Sequence, residues 1–185
     1  MTVMDFKLIL EKLLTAFKEH NIRYALMGGM ALGVWGVPRG TVDIDFLVHR
    51  DDIDKADSIM KGLGYECRHK TENVSQYLSP LKIFGEVDFL HAFRTHSLSM
   101  LQRTEEKQMF NGTLTVKVLR IEDLIGFKLQ GMVSDESRKS LDLSDIEALM
   151  AANNKNIDWT LIKEYFDLFN CTELFYKFRK KYDDA

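Results

Sequence analysis

Apolar residues recur at helical spacing from the start of the chain. Phe6, Ile9, Leu10, Leu13, Leu14 and Phe17 share one stripe, and Lys7, Glu11, Lys12 and Glu19 take other faces, which predicts a helix over residues 4–20. A short apolar run, 23–27, then reads as a strand feeding Gly28-Gly29. Small residues (Gly29, Ala31, Gly33) follow in a short helix over 29–35, which Pro38 is expected to end. The next strand spans 41–49. Successive strand side chains alternate between faces, so Asp43 and Asp45 point one way and Ile44 and Phe46 the other. A helix capped by Asp51 or Asp52 carries Ile53, Ala56, Ile59 and Met60 inward and ends at Gly62 or Gly64. Short strands are predicted at 65–70, 75–78 and 81–84, with a bend at Gly85. In the strand 86–90, Glu86 and Asp88 share one face and Val87 and Phe89 the other. After a short helix or turn at 97–104, Asn111-Gly112 between alternating runs (107–110 and 113–119) signals a type I′ hairpin. The pattern is helical from there on, over 122–133, 143–152, 159–169 (capped by Asp158) and 172–182.

This order argues for an α+β fold with a helical C-terminal tail. The division expected is an α/β core over 1–120 and a helical region over 121–185 packed on it. A chain of 185 residues with 45% hydrophobic content can build one domain, or one domain with an appendage, and its 2 prolines leave no flexible tether. The net charge of -3 speaks against a strongly basic, nucleic-acid-coating surface. Cys67 and Cys171 stand apart, without ligand spacing, as reduced thiols of a cytoplasmic protein would. The amphipathic N-terminal stretch reads as neither a signal peptide nor a membrane span, so no membrane partner is expected. The histidines lack metal-ligand spacing, and the basic cluster Lys177, Arg179, Lys180 and Lys181 reads as a solvated helix face.

Two carboxylates on one strand face repel unless a cation sits between them. Asp43 and Asp45 therefore point to a divalent metal site, and Gly28-Gly29 beside them to a turn able to cradle a phosphate. Asp88 adds a third carboxylate and a candidate base if its strand pairs beside the Asp43 strand. Taken singly, each piece has a plain reading: a tight turn, a solvated strand face, an edge charge.

The ordered set of Gly28-Gly29, Arg39-x-Thr41-x-Asp43-Ile44-Asp45 and the later apolar-Asp-apolar strand at Asp88 resembles the nucleotidyltransferase superfamily typified by DNA polymerase beta. More narrowly, it resembles the small prokaryotic nucleotidyltransferase-like proteins, including toxin-type members of abortive-infection systems. The helix carrying Lys128, followed by Asp142-x-x-Asp145, fits the same pattern. The resemblance implies a mixed β-sheet flanked by helices. It implies Mg²⁺ or Mn²⁺ on Asp43, Asp45 and Asp88, with Asp88 helping to deprotonate the acceptor hydroxyl. Gly28, Gly29, Arg39, Thr41 and Lys128 would contact a nucleoside triphosphate (NTP), the substrate, whose NMP passes to an acceptor hydroxyl on RNA, protein or a small molecule. Two departures stand out. Gly-Gly replaces the superfamily's Gly-Ser, and Leu141 occupies a position often basic in toxin-like relatives. They keep open an alternative: a non-catalytic module of this fold that binds a partner protein in a toxin–antitoxin type system.

Overall fold

Alternating strands assemble a seven-stranded mixed sheet in residues 4–183, the span described by a computed structural model. The ends of the two expected regions, residues 1–3 and 184–185, lie outside the described residues. The first elements are α1 (Phe6–Glu19), β1 (Tyr24–Met27), α2 (Gly28–Val34), β2 (Asp43–His49) and α3 (Ile53–Gly62). They are followed by β3 (Glu66–Lys70), β4 (Val74–Leu78), β5 (Glu86–Ala92), α4 (Thr95–Gln102), β6 (Glu105–Met109) and β7 (Leu114–Val118). The helices α5 (Ile121–Ser134), α6 (Lys139–Asn153), α7 (Trp159–Leu168) and α8 (Thr172–Asp183) complete the chain. The fold is therefore α+β, with a C-terminal helical region. Two compact units divide it: one takes residues 4–34 and Arg39–Leu119, the other Trp35–Pro38 and residues 120–183.

The first unit holds the whole sheet, ordered β3-β4-β5-β2-β1-β7-β6. β2 lies antiparallel to β1 and parallel to β5, so it is buried between two neighbours. Ile44, Phe46, Val87 and Phe89 are fully buried on one face. The ring of Phe17 from α1 sits 5.4 Å from that of Phe46, and Tyr77 sits 5.2 Å from Phe89. Each such buried side chain contributes roughly 1.5–3 kcal/mol. This aromatic layer makes β2 and β5 a rigid pair. Asp5 starts α1 by accepting the Leu8 backbone N–H at 3.0 Å.

Three local expectations give way to tertiary context. Residues 81–84 form a turn instead of a strand. The Ser79 N–H donates to the Gly85 carbonyl at 3.1 Å and Phe84 to Leu81 at 2.9 Å, with Gly85 at φ +57°, which closes the connection from β4 to β5. The β6–β7 hairpin is wider than the two-residue turn expected. Met109 pairs with Leu114, and Phe110, Asn111 and Gly112 all have positive φ. Asp52 does not cap α3 through its side chain. It accepts the Arg23 backbone N–H at 3.0 Å and Nε at 2.8 Å instead.

His91 shares the buried face with Phe89. Its Nε2 meets Ser75 Oγ at 2.7 Å and its Nδ1 meets the Glu72 carbonyl at 3.0 Å. Burial lowers its pKa below the usual histidine range, against the opposing effect of its hydrogen bond to the Glu72 carbonyl. The unfolded chain then binds the proton more readily, so stability falls as pH drops below about 6.5. Urea midpoints measured from pH 7.5 to 5 are expected to fall more steeply for the native chain than for His91→Gln; parallel curves would contradict this.

In the second unit, α5 buries polar groups along with Leu124, Ile125 and Leu129. Glu122 Oε1 accepts the Asp158 N–H at 2.7 Å, while Asp158 caps α7 by accepting from Thr160 and Leu161. The Tyr165 hydroxyl donates to Asp123 Oδ1 at 2.7 Å, and its ring passes so close to Gly126 that a Cβ there would lie 2.9 Å from it. Phe166 stacks edgewise on Phe175 and Phe178.

Candidate active site

The alternation of β2 and β5 decides which side chains meet. Their parallel register sets Asp43 beside Glu86 and Asp45 beside Asp88. Buried Ile44, Phe46, Val87 and Phe89 hold one face in the core, so the acids emerge together on the other. Carboxylate oxygens of Asp43, Asp45 and Asp88 all lie within 4.8 Å of one another, each side chain half-buried. Burial raises the pKa of Asp88 above the ordinary carboxylate range. A hydrogen bond from Gln76 opposes the rise, and the charges of Asp43 and Glu86 add to it.

β1 brings Gly28 to the same place, because Met27 pairs with Asp45. Gly28 sits at φ +67°, and a Cβ there would fall on the Asp45 carboxylate. Glycine is thus required twice over, by conformation and by space. A Cβ at Gly29 would lie 3.0 Å from Thr41 Cβ. Thr41 Oγ1 in turn donates to Asp43 Oδ1 at 2.7 Å, fixing that carboxylate. Thr41 itself lies outside β2, which starts at Asp43, two residues later than the sequence pattern predicts.

Gln76 was not singled out by sequence reasoning. Its Nε2 donates to Asp88 Oδ2 at 3.1 Å from the directly paired position on β4. The signal available was the alternation of 74–78, which leaves Gln76 on the face opposite Ser75 and Tyr77. Arg39 lines a cleft beside Gly29 and Thr41. Lys128 belongs to the second unit. There its Nζ lies 3.0 Å from Asp142 Oδ1 and 2.7 Å from Asp145 Oδ2. Arg138 Nη2 donates to Asp142 Oδ1 at 3.4 Å, and its Nε stands 3.2 Å from Oδ2, at ion-pair distance.

A donor set of three carboxylates suits a hard divalent cation, and their mutual repulsion is what such a cation would relieve. Among the described residues no helix is long and apolar enough to cross a membrane.

The sequence matches the family described as uncharacterised nucleotidyltransferase over residues 4–180. No curated protein matches it. Among solved structures, ANT(2")-Ia in complex with adenylyl-2"-tobramycin is 14% identical, covering 95% of this chain and 97% of its own, with a TM-score of 0.64. The lincosamide antibiotic adenylyltransferase LnuA, lincomycin-bound, is 16% identical, covering 82% and 99%, with a TM-score of 0.55. An antigenic nucleotidyltransferase-like protein from Paracoccidioides brasiliensis is 17% identical, covering 92% and 94%, at 0.51.

Proposed function

The chain belongs to this nucleotidyltransferase family, and we propose that it moves an NMP from an NTP to the hydroxyl of a small molecule in a reaction dependent on Mg²⁺ or Mn²⁺. What supports the reading above all is the register of β2 on β5, with three carboxylates within 4.8 Å beside a glycine that tolerates no side chain. The small-molecule acceptor draws on the antibiotic adenylyltransferases that share the fold along most of this chain.

In this reading Asp43, Asp45 and Asp88 hold the metal, which when bound neutralises phosphate charge and orients the reacting oxygens. Thr41 keeps Asp43 in its rotamer through the 2.7 Å hydrogen bond. Gly28 and Gly29 let backbone come close enough to receive the triphosphate. The acceptor oxygen forms a bond to the α-phosphorus as the bond to pyrophosphate breaks, and Asp88 takes the hydroxyl proton. Gln76 holds Asp88 in place for that transfer by donating to its other oxygen. Lys128 is a candidate phosphate contact in the same reading.

Calorimetry with ATP, GTP, CTP and UTP, each with and without Mg²⁺ or Mn²⁺, tests the proposal. At least one NTP is expected to bind only with metal present. A folded protein that binds none of them in a metal-dependent way overturns it.

A further inference from the structure

A cleft of about 570 Å³ opens beside the carboxylates, within the size range of ligand pockets. Its wall is apolar where Met30, Val34, Met109 and Phe110 meet. Thr41, Arg39 and Gln108 give it polar groups, and no acidic residue is among those lining it. Thr41 belongs to the cleft and to the candidate site at once, since its hydroxyl holds Asp43. Whatever occupies the cleft therefore lies next to the reacting groups.

We propose that this cleft seats the base of the nucleotide. The inference rests on the nucleotidyltransferase reading and adds to it the place of the base. Its first support is charge. An arginine in the wall and no acid among the lining residues suit a neutral aromatic ring attached to an anion, and disfavour a polycationic acceptor. Its second is the wall itself: one aromatic ring, two methionines and a valine line it, the side-chain types that a planar heterocycle packs against. Phe110 sits at the hairpin tip at φ +51°, a conformation uncommon for a residue with a side chain.

The third support comes from two glycines that the fold does not require. A Cβ added to Gly33 or Gly40 would meet no atom within 4 Å, and neither residue has positive φ. Gly33 lies within α2, where glycine lowers helix stability by about 1 kcal/mol relative to alanine. Both present bare backbone to the cleft.

Two variants test the proposal, each titrated by calorimetry in Mg²⁺ against ATP, GTP, CTP, UTP and inorganic tripolyphosphate. Phe110→Gly removes the ring while suiting the left-handed backbone. Gly33→Leu fills the cleft from a helix position with room for it, so its melting temperature is expected to hold or rise. Both variants are expected to weaken the best-bound NTP roughly tenfold, as loss of one base–aromatic stack does, and to leave tripolyphosphate within twofold. NTP affinity unchanged in both variants overturns the base assignment and leaves the metal site standing. An equal loss for NTP and tripolyphosphate overturns it too, because the cleft then acts through the phosphates or the fold. A native chain that binds neither NTP nor tripolyphosphate in Mg²⁺ or in Mn²⁺ overturns the nucleotidyltransferase reading and, with it, this inference.

Discussion

Asp43→Asn and Asp45→Asn together are expected to lower nucleotidyl transfer at least ~10³-fold, about 4 kcal/mol of transition-state stabilisation. The same exchange is expected to leave the melting temperature of the metal-free protein unchanged or higher. Asparagine keeps the shape of each side chain, and its amide oxygen still accepts from Thr41 at position 43. It also removes two of the charges that crowd within 4.8 Å, and with Asp43 one of the two charges that add to the burial-driven rise of Asp88. Activity and stability thus move in opposite directions, as expected where carboxylates are kept together for function at some cost to the fold. A second sign follows by mass action. Mg²⁺ with a bound NTP should raise the melting temperature of the native chain and not of the double variant. Transfer within tenfold of the native rate in a folded double variant would remove these two residues from the reaction.

The proximity of the three acids was readable because a strand's period of two is the most local of signals. Ile44 and Phe46 on β2, like Val87 and Phe89 on β5, had to be buried, and that alone turned Asp43, Asp45 and Asp88 outward. The pairing of β2 with β5 was a condition that sequence could state and not decide, since a parallel register is a long-range property. Gln76 escaped for the same reason. Nothing near it in sequence says that Asp88 will lie opposite. Residues 81–84 had strand composition, yet Pro80 before them and Gly85 after them left room only for a turn. At Asp52 a long-range arginine outcompeted the local cap, and a bidentate guanidinium contact is the stronger interaction for a carboxylate. Glu122 and Asp123 lie in the first turn of α5. Both are buried because distant partners, the Asp158 N–H and the Tyr165 hydroxyl, satisfy them.

Lys128→Met is expected to destabilise the protein by roughly 3–5 kcal/mol, the range found when one partner of a buried ion pair is removed. The melting temperature should fall by about 10 °C. The reason lies in what remains. Asp142 is fully buried and Asp145 nearly so, and Lys128 Nζ is close to both. Arg138 also approaches Asp142, but its side chain is more than half exposed, so solvent screens much of that attraction. Losing the lysine takes from both buried carboxylates the ammonium they share, and Asp142 keeps the screened Arg138. Adding Asp142→Asn and Asp145→Asn to Lys128→Met removes the stranded charges and is expected to recover more than half of the loss. Denaturant midpoints of the single and triple variants measure both steps, and a change below 1 kcal/mol for Lys128→Met would contradict the account. The triple variant also separates the two roles open to this lysine. If it folds stably and still binds NTP with Mg²⁺ as the native chain does, the ammonium serves the buried cluster alone. If it folds stably and loses that affinity, Lys128 contributes to nucleotide binding as well. A largely covered lysine held by two acids is well placed for the first role, because freeing it for a phosphate would take the shared ammonium from both carboxylates.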